Sequence, residues 1–239
     1  MIWFGNLSRI LVGPTAEAIA NSAESTRMQV ALERTAERSP GLSGQDLVDA
    51  LVATGWVNRR TAERLLPHFR HFDPDRHFSE YLRRLSFRGS SAAEPFRAGV
   101  RCLVEETLGD GWIDRVGPEP CIRFGLGEFE GVVLAQPQVG FTISGQTRDA
   151  LAAAVEEMPD VVVVVARTFD RHAVQQLGGI LHRSGLPGTL VTVNLLLGIR
   201  AMTLRYQPDP RRVAELLACG GTLRSADIAS LGEREAAVA

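Results

Sequence analysis

The sequence predicts a three-layer α/β protein: a mixed sheet with helices on its faces, preceded by a small helical domain and followed by a C-terminal helical hairpin. Three observations carry this. "DVVVVVAR" (160–167) and "TLVTVNLLLG" (189–198) are unbroken apolar runs, as strands buried on both faces require. Between and before them, "TRDALAAAVEEM" and "DRHAVQQLGGILHRSG" have helical periodicity. After the polar break at Arg88 to Pro95 the period changes, from mainly helical to alternating strand and helix.

Taken in order, "MIWFGNLSRILVG" is an apolar arm, too rich in Ile2, Trp3, Phe4, Leu7, Ile10 and Leu11 to stay in water. It is expected to complete this chain's own core, to self-associate or to dock on a protein partner. Thr15 to Arg38 is a polar helical stretch with an incomplete apolar stripe at Ala16, Ile19, Ala20, Ala23, Val30 and Ala31. "SPGLSG" breaks it, and Ser43 is placed to cap a helix through "GQDLVDALVATG". A "TGWV" turn leads into a second helix, "NRRTAERLLPHF". The pair is either a packing hairpin or a helix-turn-helix with Arg59, Arg60 and Arg64 at the start of its reading helix. One more helix and a polar break at Arg88 to Pro95 close this domain.

"PFRAGVRCLVEETLG" is then an amphipathic helix, and "WIDRV", "CIRFGL", "FEGVVLA" and "GFTIS" read as strands, the last two joined by a Gln-Pro turn. The resulting division is an arm and helix over 1–40, an Arg-rich helical domain over 41–92, an α/β core over 93–206 and a helical extension over 207–239.

Composition narrows the chemistry. A chain of 239 residues that is 45% hydrophobic buries one good core and a small satellite. All 26 basic residues are arginine, which excludes a phosphate-loop lysine, a Schiff base and a lysine general base. The net charge of -2 hides an uneven distribution, because Asn58 to Arg101 holds ten Arg against five acids. Cys102, Cys121 and Cys219 are too few and too scattered for a disulfide framework or a four-thiolate zinc site, and are expected to be reduced core residues. No run is long enough to span a membrane, and the apolar start lacks a charged leading region and a cleavage site, so a cytoplasmic protein is expected.

The helix-strands-helix-strand order of Glu94 to Gly198 resembles the restriction-endonuclease-like superfamily, the PD-(D/E)xK nucleases. That resemblance implies an acid near the end of the second core strand and an acid-x-lysine on the third, with the carboxylates holding Mg²⁺ or Mn²⁺. By position, Glu128 or Glu130 supplies the first acid, Ser144 replaces the second and Gln146 replaces the lysine. Glu130, Ser144 and Gln146 are therefore vestigial catalytic candidates, since a hydroxyl cannot supply the charge that holds a hard cation. Asp149, Glu156 and Glu157 are the carboxylates that a rearranged site would borrow from the following helix.

Two other constellations are weaker. His68, His71, Asp73, Asp75 and His77 are metal-ligand types, but Asp-Pro interrupts their helical spacing and the interleaved phenylalanines mark a packing connector, so no metal site is assigned. "AELLACGG" and "SADIASLG" resemble the opening helices of a winged helix-turn-helix, yet the helix that should read DNA would be the acidic "EREAAVA", which leaves a packing hairpin.

The expectation is a non-catalytic nucleic-acid-binding or assembly subunit, a pseudo-nuclease of a DNA-processing or defence complex, without a cofactor. Arg59, Arg60, Arg83, Arg84 and Arg88 are its phosphate-contacting candidates. The alternatives are an active metal-dependent endonuclease with a rearranged site, and a protein-protein scaffold that touches no nucleic acid.

Overall fold

A computed structural model of the chain describes residues 23–108, 112–113, 121–126, 129–139, 145–156 and 158–233. The apolar arm Met1–Gly13, the "GFTIS" strand, Glu128 and Ser144 lie outside the described residues. The chain separates into two units, Met1–Tyr81 and Leu82–Ala239, with the division inside a helix, whereas the sequence put its break at Arg88 to Pro95.

The first unit is helical: α1 (Ala23–Ala36), α2 (Gly44–Ala53), α3 (Arg59–Leu65) and the start of α4 (Pro74–Leu85). Its core joins Met28, Ala31, Leu32, Val48, Leu51, Val57, Ala62, Leu65 and Phe69. The buried face of α1 is rotated from the predicted stripe, since Ala23 is exposed and Val30 only half-buried while Met28, Leu32 and Ala36 turn inward. Ser43 stands at the cap position of α2 with extended backbone but makes no side-chain cap bond. Asn58 does cap α3, accepting from the Thr61 N–H at 2.9 Å. The predicted "NRRTAERLLPHF" helix ends at Leu65, and a 3₁₀ turn over Leu66–Phe69 takes up Pro67, which a continuing α-helix disfavours.

The second unit holds the sheet. After α5 (Ala93–Leu108) come β1 (Trp112–Ile113), β2 (Cys121–Leu126) and β3 (Phe129–Val139), neighbours in an antiparallel meander. α6 (Gly145–Glu156), β4 (Val161–Thr168), α7 (Arg171–Ser184) and β5 (Gly188–Thr192) follow, with β3, β4 and β5 parallel. Val132, Leu134, Val162, Val164 and Leu190 meet Leu151, Ala154, Leu177 and Leu181 of α6 and α7 in one cluster. The alternate residues Val133, Val163, Val165 and Val191 are just as buried, on the face against which α5 and α8 (Val193–Tyr206) pack. Two buried faces are the reason the strand reads as five consecutive valines.

Three predicted elements change. "FEGVVLA" and the Gln-Pro turn are one long strand: β2 pairs with β3 only up to Leu134, and the β3–β4 register shifts between Gln136 and Val139, so Pro137 sits where its missing N–H costs little. "TLVTVNLLLG" is half strand and half helix. Thr192 ends β5 and caps α8, its hydroxyl accepting from the Leu195 N–H at 3.3 Å, and an unbroken apolar run gives no sign of that switch. The C-terminal segment is α9 (Pro210–Leu217), β6 (Gly221–Thr222) and α10 (Ser225–Glu233). It extends the sheet, because β6 pairs parallel to β5 while α9 packs on α5 and α10 on α8. Cys102 and Cys121 are buried as expected, but Cys219 is exposed.

Candidate nucleic-acid interface

Glu130 lies near the start of β3, the third strand in chain order. Its carboxylate is exposed, and its main chain does structural work: the N–H donates to Asp160 Oδ2 at 2.7 Å and the carbonyl accepts from the Asp160 N–H at 2.8 Å. These bonds tie the starts of β3 and β4 together. Gln146 is in the first turn of α6. The far end of β3, six to eight residues past Glu130 and so roughly 20–26 Å away along the strand, carries Gln136, Pro137 and Gln138. Sequence reasoning missed these residues because it broke the strand at the proline. Asp149 and Glu156 are exposed on α6.

Among the described residues, no three His, Cys, Asp or Glu side chains gather in a group that could hold a metal. His77 instead faces Glu37, with its Nε2 at 3.7 Å from the carboxylate. Burial alone would raise the Glu37 pKa, but the nearby His77 and the charge of Arg34, which donates to Glu37 at 3.1 Å, outweigh it and hold the carboxyl below its ordinary value.

The arginine candidates fall into two groups. Arg59 is in the first unit, ion-paired with Asp49 and 3.9 Å from Glu63, and its exposed neighbour Arg60 follows it in α3. Arg83, Arg84 and Arg88 are in the second unit, exposed, and among the described residues none of them pairs with a carboxylate.

Arg83 belongs to a built feature. A cavity of about 460 Å³ opens among Arg83, Ser86, Phe87, Arg167, Thr168 and Asn194. Thr168 is the last residue of β4, and Asn194 lies in the first turn of α8, directly after β5. The cavity is thus at the carboxyl ends of the parallel strands, where open α/β sheets bind ligands. Arg83 Nε donates to Asn194 Oδ1 at 2.9 Å. The Arg167 guanidinium lies 3.3 Å from the ring centroid of Phe87, a residue that remains 61% exposed. The stacking fixes one cation while its edge stays available for hydrogen bonds. Sequence reading passed over Phe87, Arg167 and Asn194, although an arginine near the end of the most buried strand was a readable signal. A second cavity, about 560 Å³, lies in the first unit and has apolar walls including Leu32, Val48, Phe69 and Phe72.

Two solved structures share this architecture. Restriction endonuclease FokI aligns with a TM-score of 0.51 at 13% identity, over 85% of this chain and 49% of that one. Restriction endonuclease FokI bound to DNA aligns with a TM-score of 0.50 at 16% identity, over 62% of this chain and 30% of that one. The chain has a restriction-endonuclease-like fold. It spans at most about half the length of the FokI chains it matches. No protein-family model and no curated protein matches it. Within the restriction-endonuclease-like frame, the meander strand that leads to the next helix is β3, so Gln136 and Gln138 belong to that strand and Ser144 follows it in sequence. Among the described residues, no helix is long and apolar enough to cross a membrane.

Proposed function

We propose that the chain is a non-catalytic nucleic-acid-binding or assembly subunit of a DNA-processing or defence complex. The nucleic-acid half rests on one observation: Arg83 and Arg167 line a single cavity, without a carboxylate partner among the described residues, at the carboxyl edge of the sheet. Guanidinium groups free of internal acids match phosphate oxygens. The likeness to an endonuclease solved with DNA supports the same reading at the level of fold.

The non-catalytic half rests on β3. A nuclease of this fold would carry an acid and a lysine there to hold and use Mg²⁺ or Mn²⁺, whereas the stretch that leads to α6 reads Ala135, Gln136, Pro137, Gln138. Neutral amides do not supply the anionic oxygens a hard dication needs. These residues do not fit the metal, and Glu130 is at the strand's other end.

The test is duplex binding over graded salt, together with plasmid nicking in Mg²⁺ or Mn²⁺. The expected outcome is affinity that falls steeply with salt and no nicking. Metal-dependent nicking would establish the endonuclease alternative. Absence of binding even at low salt would leave the scaffold reading.

A further inference from the structure

We infer that the cavity between α4, β4 and α8 takes a phosphate monoester, the terminal phosphate of a nucleic-acid strand. The choice of a strand end rests on the nucleic-acid reading; the phosphate chemistry rests on the cavity itself.

Its two cations are held from different directions. Asn194 fixes Arg83 through its Nε, which leaves the terminal nitrogens of that guanidinium as donors. Phe87 holds Arg167 through its ring face, which uses none of that residue's N–H groups. A pair of anchored guanidinium groups presents two positive charges. An internal phosphodiester carries one negative charge, whereas a monoester carries about -1.5 to -2 at neutral pH and has three acceptor oxygens. The monoester is therefore the better match in charge and in donors. The volume of about 460 Å³ also suits a group that ends in the cavity together with part of its sugar and base. Thr168 at the rim adds a hydroxyl donor.

The experiment compares short single strands of one sequence with hydroxyls at both ends, with a 5′-phosphate and with a 3′-phosphate, and includes a nucleoside 5′-monophosphate and inorganic phosphate as competitors. One phosphorylated strand is expected to bind about tenfold tighter than the hydroxyl-ended strand, the size of one or two charge-assisted hydrogen bonds. Arg83→Gln and Arg167→Gln should each bring that ratio close to one, and Phe87→Leu should reduce it, in protein whose melting temperature confirms folding. If Arg83→Gln proves unfolded, Arg167→Gln and Phe87→Leu carry the comparison.

Equal binding of all three strands overturns the inference while leaving the nucleic-acid reading in place. Binding of the mononucleotide that depends on Arg83 and Arg167, with no strand bound, keeps the monoester site and assigns it to a free nucleotide, and it is then the nucleic-acid reading that fails. No binding of any phosphate-bearing probe removes both.

Discussion

The arginines of the helical unit and those of the α/β unit differ in the company they keep. In the first, Arg34 reaches Glu37 at 3.1 Å, Arg76 reaches Glu80 at 3.1 Å, and Arg59 and Arg64 pair with Asp49 and Glu24. In the second, Arg83, Arg84, Arg88 and Arg167 have no such partner among the described residues, while Arg200 is buried against Glu106. A guanidinium beside its own carboxylate adds little to the field felt by an approaching polyanion, and an uncompensated one adds its full charge. A charge count over Asn58 to Arg101 sums both kinds, so it overstates the helical unit as a nucleic-acid surface. The same side chain has three uses here: interior tie, surface pair and open cation.

The interior tie should show the largest effect. Arg200 is 5% exposed, and Glu106→Gln would take away the carboxylate that its Nε–H donates to. A loss of about 3 kcal/mol is expected in denaturant unfolding, because a buried charge stripped of a carboxylate partner keeps its desolvation cost. A loss below about 1 kcal/mol would class the pair with those on the surface.

Next in size is the difference between the open and the paired cations. Replacing Arg83, Arg84 and Arg88 together by Ala should flatten the dependence of log K on log salt by about 0.9 for each phosphate contact removed. Replacing Arg59 and Arg64 should leave the slope nearly unchanged, since their charge is already matched by Asp49 and Glu24. Equal losses from the two sets would erase the distinction between the units.

The fold was legible because its strongest signals are local. Five consecutive valines can only be a buried strand, and Asp170 caps the helix that follows by accepting from the Ala173 N–H at 2.6 Å. The candidate site was legible only in part. Arg83 was found from charge, but its partner Asn194 lies 111 residues away, a pairing that no local pattern encodes. Phe87 carries no local signal of its own, and only the fold sets Arg167 over its ring. The extent of β3 was misread for a local reason, because Pro137 usually ends a strand and here lies past the β2 ladder.

The smallest effect tests whether the helical unit's charges are satisfied internally. Glu37 sits between Arg34 and His77, with its carboxyl held below the ordinary value of 4.5. A carboxylate whose folded pKa is depressed adds stability above its unfolded value, and that stability is lost as pH falls through the folded value. Acidification below about 4.5 should therefore remove a contribution that Glu37→Gln lacks from the outset. The two proteins should differ at neutral pH by less than about 1 kcal/mol, as befits a pair near the surface. Their stabilities should converge as the medium becomes more acid. A gap that stays constant through this window would mean that the Glu37 side chain contributes by packing and not by charge, and the helical unit's ion pairs would then be weaker neutralisers of its arginines than their geometry implies.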